Sequence, residues 1–246
     1  MAAKRIDNPV ETARAAAGEY ASVYGEDVVS VVLYGSAAGG DFDPVRSDIN
    51  LLVVLKELSL AAVARSGDVQ KRLRKRRFDR PLFMDRDYIA RSLDSFPIEF
   101  LNMKGCYRVL HGEDVLAGLE IRNEDVRLQV ERELKGKRLH LVEEWLDART
   151  EPKRLKELLG VSLQDFGAAF RAMIHLRERE IPRNREALFE AVEEAYGLEG
   201  RPLRRVIEAY RSGDRNLIAS VFDTYEKAIA RLIHAVDVAQ SKEDTQ

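Results

Sequence analysis

The chain has 246 residues, 45% hydrophobic and 33% charged, enough apolar material for one large domain or two ordinary ones with a real core. A net charge of −2 excludes a broadly basic surface, so a nucleic-acid partner is not expected. Cys106 is the sole cysteine, which excludes an internal disulfide and a thiolate metal cage and fits a reducing, cytoplasmic setting.

Pro9 to Tyr24 is Ala-rich with apolar residues at helical spacing, and Gly25-Glu26-Asp27 ends it. The first twenty residues lack the apolar core of a signal peptide, and no run approaches the ~20 apolar residues of a membrane span. Val28 to Tyr34 and Ile49 to Leu55 are short β-branched runs without strict alternation, which suits strands buried on both faces. The stretch between them, GSAAGGDFDPVRSD, is too long for a tight hairpin and is punctuated by Gly and Pro. Leu58 to Arg77 reads as a helix closing on KRLRKRR, Leu82 to Met84 as a brief strand, Arg86 to Leu93 as a short helix and Ile98 to Met103 as a third good strand. From about Arg122 the texture is helical only: 123–148, 152–180, 185–196, 202–210 and 216–239, separated by Pro and Gly breakers. The expected organisation is an α/β domain over residues 1–120, a helical bundle domain over 121–240 and a disordered polar tail over 241–246.

The segment VVLYGSAAGGDFDPVRSDINLLVVL, residues 31–55, carries the most chemistry. A strand ending at Tyr34 runs into Gly35-Ser36, where glycine lets the backbone turn sharply and approach a ligand. Backbone N–H groups of such a turn, with the Ser36 hydroxyl, suit phosphate oxygens. Side chains alternate along a strand, so Asp48 and Asn50 project from one face while Ile49 points into the core. Oxygen donors so placed suit Mg²⁺, a hard cation held by a few protein oxygens and substrate phosphates.

With its Gly-Ser turn, a spacer of about a dozen residues and then Asp48-Ile49-Asn50 entering a strand, the segment resembles the signature of the polymerase-β-type nucleotidyltransferase superfamily. Bacterial aminoglycoside nucleotidyltransferases are similar in placing a helical domain after the catalytic one. The resemblance implies an α/β (α+β) nucleotidyltransferase-like mixed-sheet domain followed by an all-α bundle. It implies Mg²⁺-dependent transfer of a nucleoside monophosphate from a triphosphate, ATP first, to a hydroxyl of a small-molecule or protein acceptor. Gly35 and Ser36 would bind the nucleotide, Asp48 would be catalytic, and Asp48, Asn50 and Glu99 would hold metal. Glu99, in FPIEFLNMKG, is the expected third carboxylate, as metal ligand or general base, because a charge in an apolar strand calls for a cation or a reacting proton. Asp85, Asp87 and Asp94 are its rivals, with helix capping as their plainer role.

Asn50 departs from the family pattern, which has a second acid there. An amide oxygen ligates Mg²⁺ but carries no charge and cannot bridge two metals. Three readings remain open: one firmly held metal with a weak second, a replacement carboxylate from Asp41 or Asp43, or ligand binding without turnover. A toxin–antitoxin component is a further alternative, on the Arg171-to-His175 and Arg231-to-His234 spacings, although helix-face histidines explain these more simply. The basic run at 71–77 fits a solvated helix end, with Arg74, Lys75 or Arg77 able to reach a triphosphate. His111, His140, His175 and His234 show no metal-ligand spacing. Trp145 is expected in the bundle core, and Glu143, Glu144 and Asp147 are candidate acidic contacts for a cationic acceptor.

Overall fold

A computed structural model describes residues 5–39, 42–45 and 47–243, with side chains to residue 238. The chain divides into two compact units, residues 1–121 and 122–246. The first is built on a four-stranded mixed sheet; the second is helical.

In the first unit helix α1 spans Pro9–Tyr24. Asn8 caps it by accepting from the Glu11 N–H at 3.1 Å, and Pro9 needs no hydrogen-bonded N–H in the first turn. Ala13, Ala16, Ala17, Tyr20 and Tyr24 form its buried stripe, and Gly25 ends it at φ +56°. Strand β1 is Val28–Tyr34, the short helix α2 is Ser36–Gly39 and strand β2 is Asn50–Leu55. Helices α3, Leu60–Ala64, and α4, Gly67–Arg74, occupy the stretch expected to be one helix. The break falls at Ser66-Gly67, where the Ser66 hydroxyl donates back to the Val63 carbonyl at 2.9 Å and glycine weakens the helical alternative. Strand β3, Leu82–Asp85, helix α5, Arg86–Arg91, helix α6, Pro97–Gly105, and strand β4, Tyr107–Gly112, complete the unit.

The strand order is β3-β2-β1-β4, with β1 antiparallel to both β2 and β4 and β2 parallel to β3. The two central strands bury both faces, which is why their sequences do not alternate. Val31, Leu33, Leu51 and Val53 share a layer with the Ala face of α1. Val32, Leu52 and Val54 face the other way, onto Phe100 and Met103 of α6 and Ile89 of α5.

The expected strand at Ile98–Met103 is the helix α6, and the third good strand lies instead at Tyr107–Gly112. Pro97 sits in the first turn, and Pro97, Phe100 and Met103, at helical spacing, are buried with Ile98. Read over six residues, IEFLNM fits either period; the proline before it decides.

The second unit holds α7, Asn123–Ala148, α8, Pro152–His175, α9, Arg185–Ala195, α10, Pro202–Ser212, and α11, Arg215–Glu243. Helix α8 stops at His175, short of the expected Glu180, and Glu178 there is left-handed at φ 53°. Leu155, Leu159, Leu163, Phe166, Phe170 and Met173 make its buried seam. Phe170 meets Phe189 edge-on at 4.8 Å between centroids, and the buried Tyr225 hydroxyl shares a 2.8 Å hydrogen bond with Ser162. Glu193 of α9 reaches across to cap α10, accepting from the Leu203 N–H at 2.6 Å and the Arg204 N–H at 3.2 Å. Trp145 is not core: it is 37% exposed and, with Leu141, Val142, Phe222, Asp223 and Glu226, lines a shallow cleft of about 190 Å³. Helix α11 carries on to Glu243, so residues 241–243 of the expected tail are helical; 244–246 lie outside the described residues. No helix among the described residues is long and apolar enough to cross a membrane.

Candidate functional site

The chemistry-bearing segment meets itself at one end of the sheet. Tyr34, the last residue of β1, stands opposite Asn50 on one side and Tyr107 on the other. Directly opposed residues of antiparallel strands share a face, so these three side chains form a row. Burial pushes the Tyr34 hydroxyl up to about 12, with the charge of Asp79 adding to the effect, so this phenol stays protonated at neutral pH.

Past Tyr34 the chain turns at Gly35, whose φ of +75° belongs to the region that favours glycine. The Gly35 N–H donates to the Cys106 carbonyl at 3.0 Å, and the Ala38 N–H donates to the Gly35 carbonyl at 2.9 Å. A Cβ on Gly35 would lie 3.3 Å from the Asn50 amide nitrogen, so the Asn50 side chain rests against the turn. A Cβ on Gly39 would lie 2.5 Å from the Cys106 sulfur. The turn is therefore wedged between β2 and the residue that leads into β4, while Ala37 and Ala38 anchor it in the core. Half-buried Ser36 follows the turn directly, at the first position of α2.

On the β2 side, Ile49 is fully buried, and alternation puts Asp48 and Asn50 on the opposite face together. The Asp48 side chain is 57% exposed and its Oδ1 lies 3.5 Å from the Nε of Arg77. Arg77 is itself well covered, with its side chain 13% exposed. Its Nη1 donates to the Pro44 carbonyl at 2.9 Å and its Nη2 to the Ser47 carbonyl. Backbone bonds fix the same place: the Ile49 N–H donates to the Arg77 carbonyl at 3.0 Å, and the Asp79 N–H to the Ile49 carbonyl at 3.1 Å. Arg77 adopts a left-handed conformation, φ 62°, which is uncommon outside glycine, asparagine and aspartate. A strained backbone held by four contacts is one the surroundings over-determine.

The acidic residues expected near the site sit on different elements. Glu99 is exposed in the first turn of α6, not on a strand, and a carboxylate there complements the helix N-terminus. Asp85 accepts from the Tyr88 N–H at 2.7 Å as the cap of α5 and from the Leu58 N–H at 3.0 Å. Asp43 accepts from the Val45 N–H at 2.7 Å within its own loop turn, and Asp41 lies outside the described residues. Among the described residues no three acidic, histidine or cysteine groups are placed to hold a metal ion. The donor set at β2 is one carboxylate already paired with a guanidinium and one neutral amide, which does not fit the carboxylate cluster that a two-metal site needs.

The rest of the basic run sorts itself by contact. Arg72 pairs with Glu19 at 2.7 Å, Arg76 with Glu19 at 3.5 Å and Lys71 with Asp68 at 3.1 Å, while Arg77 alone among these turns toward β2. His111, His140 and His234 are exposed, and His175 shares a 3.1 Å hydrogen bond with Asn123. Burial lowers the His175 pKa from its ordinary value, favouring the neutral ring. Glu143, Glu144 and Asp147 are exposed on α7.

No protein-family model and no curated protein matches this sequence. A solved structure does: the crystal structure of spectinomycin adenyltransferase AAD(9) from Enterococcus faecialis, determined with ATP and spectinomycin. The two chains are 14% identical and superimpose with a TM-score of 0.53, over 88% of this chain and 99% of that one. The likeness is one of fold. This chain's mixed sheet followed by helices is thus the fold it shares with that adenyltransferase, the fold that the Gly-Ser segment led one to expect.

Proposed function

We propose that the first unit binds a nucleoside triphosphate, ATP in the first instance, with its phosphates over the Gly35-Ser36 turn. The observation that carries this is the turn itself. A glycine at φ +75° is held between the Asn50 amide and the Cys106 carbonyl, at the open end of two buried strands. The Gly35 and Ala38 N–H groups are engaged in holding the turn, so the Ser36 hydroxyl at the start of α2 is the group proposed to meet an anionic ligand.

Two readings of the chemistry follow. One reading is binding without efficient turnover, favoured by the neutral Asn50 and by the Arg77 guanidinium 3.5 Å from Asp48. The second reading is transfer of a nucleoside monophosphate to a hydroxyl acceptor, with Asp48 nearest the transferred group; the shared fold and the Gly-Ser spacing favour it. Mg²⁺ belongs to that reading and finds a poor donor set here. Equilibrium dialysis with ATP, followed by pyrophosphate release in the wild type and in Asn50→Asp, separates them. Binding without pyrophosphate, with release gained in Asn50→Asp, supports the binding reading. Release by the wild type supports the transferase. Absence of ATP binding under all conditions sinks both.

A further inference from the structure

We infer that Arg77 supplies, as a fixed side chain, the positive charge that a divalent cation would otherwise bring to the start of β2, so that nucleotide binding here is independent of divalent metal. The inference rests on reading the Gly35-Ser36 turn as the phosphate site. Its basis is the juxtaposition of two features. Where a second acid would stand is the neutral Asn50, and where a cation would sit beside Asp48 is the Nε of Arg77, 3.5 Å from Oδ1. Each alone is a minor change; together they leave Asp48 plus Arg77 close to neutral. A second carboxylate beside an already paired Asp48 would add uncompensated negative charge facing a polyanion.

Arg77 is not a chance surface contact. Two of its nitrogens donate to the carbonyls of Pro44 and Ser47, and its own carbonyl accepts from Ile49. The guanidinium is thereby fixed on the approach to β2, without the rotamer freedom that makes exposed ion pairs weak. Asp48 and Asn50 are two strand residues apart, roughly 7 Å, and Asn50 touches the turn. The guanidinium adjoins Asp48 and not the turn itself, but a covered charge is screened less than exposed ones, for which the screening length is about 8 Å at physiological ionic strength. Arg77 acts through the field at the site and through Asp48; it is a positioning residue.

The test is calorimetric titration of ATP into the full chain, once in EDTA and once in excess Mg²⁺. The wild type is expected to bind with dissociation constants within about threefold of each other. Arg77→Asn keeps a residue that tolerates the left-handed backbone and removes the guanidinium. It should lose at least tenfold in EDTA and recover most of that in Mg²⁺, because Asp48 is then free to hold the cation. Asp48→Asn is the second arm and leaves the Arg77 straps in place. By exposing an uncompensated guanidinium it should tighten ATP binding in EDTA at least threefold. A wild type that binds only with Mg²⁺ overturns the inference and leaves the nucleotide reading standing. So does an Arg77→Asn loss that is equal with and without Mg²⁺, or an Asp48→Asn loss in EDTA. A wild type that binds ATP in neither condition overturns the nucleotide reading itself.

Discussion

Gly35→Ala probes the turn without removing any polar group. At φ +75° an L-residue is strained by about 1–2 kcal/mol. The new methyl also lies 3.3 Å from the Asn50 amide nitrogen, so that side chain must yield by a few tenths of an ångström. The native hydrogen bond from the Gly35 N–H to Cys106 is retained, so strain dominates and the expected destabilisation is about 1–2 kcal/mol. For a unit of this size that corresponds to roughly 4–8 °C in melting temperature. Because the two units need not unfold together, the clean assay is native-state hydrogen exchange at the β1 and β2 amides, which reads the opening of the first unit alone. Gly18→Ala is the internal control: Gly18 is exposed within α1 and a Cβ there meets nothing within 4 Å. It should stabilise by about 0.5–1 kcal/mol. ATP affinity should fall in Gly35→Ala and stay put in Gly18→Ala. Unchanged β1 protection in Gly35→Ala, or equal shifts in the two variants, would refute the claim that this glycine is required by its backbone.

Gly39→Ala places a methyl 2.5 Å from the Cys106 sulfur and should cost about 1–3 kcal/mol by overpacking; adding Cys106→Ala should restore most of it, and additive effects in urea denaturation would contradict the contact. Phe100→Ala, at a fully covered position beneath β1 and β2, should cost about 3–5 kcal/mol, read as loss of protection in the first unit. Ser162→Ala removes the partner of the buried Tyr225 hydroxyl and should cost about 1–3 kcal/mol in the second unit, whereas Tyr225→Phe combined with it should cost less than the two single effects summed. Burial raises the Glu193 pKa above its ordinary value, against the pull of the Arg204 and Leu203 N–H groups. A carboxyl raised on folding contributes stability that is present below the unfolded value near 4.3 and is lost as pH rises through the folded one. Glu193→Gln, which keeps the capping oxygen, should therefore gain on the wild type above that window, and the gap should close as pH falls through it; a gap independent of pH would falsify this assignment.

What could be read in the sequence divides along physical lines. Helix α1, both central strands and the long helices of the second unit are set by local signals: a cap at Asn8 with Pro9, β-branched runs, and apolar residues every three or four positions. The Gly35-Ser36 turn was legible because glycine and spacing are local too. Ile98–Met103 reads as a strand because six apolar-rich residues satisfy both periods, and Glu99 stands in the first turn of a helix instead. Strand β4 is hidden because YRVLHG is an edge strand with three of its six residues polar or glycine, so burial leaves a weak pattern. Trp145 read as core from its type alone, although a large aromatic on a helix surface is common enough. Arg77 could be named only as one of several basic residues. What singles it out is tertiary: the isolated bridge between Ile49 and Phe78 brings the end of the basic run alongside the start of β2.

That bridge also changes how Asn50 is to be understood. Taken alone, an amide in place of an acid is a loss, and the natural inference is a damaged metal site. Beside Arg77 the amide belongs to a site that carries one carboxylate and one covered guanidinium. A site holding two carboxylates needs cations before it tolerates a triphosphate; a site holding an Asp–Arg pair and an amide does not. Nucleotidyl transfer, by contrast, draws much of its rate from cations that follow the charge developing on the leaving phosphate. A guanidinium tied to two loop carbonyls cannot follow it. The pair of residues proposed to make binding independent of metal therefore works against turnover, and Asn50→Asp alone, leaving Arg77 in place, should recover less pyrophosphate release than Asn50→Asp joined to Arg77→Asn.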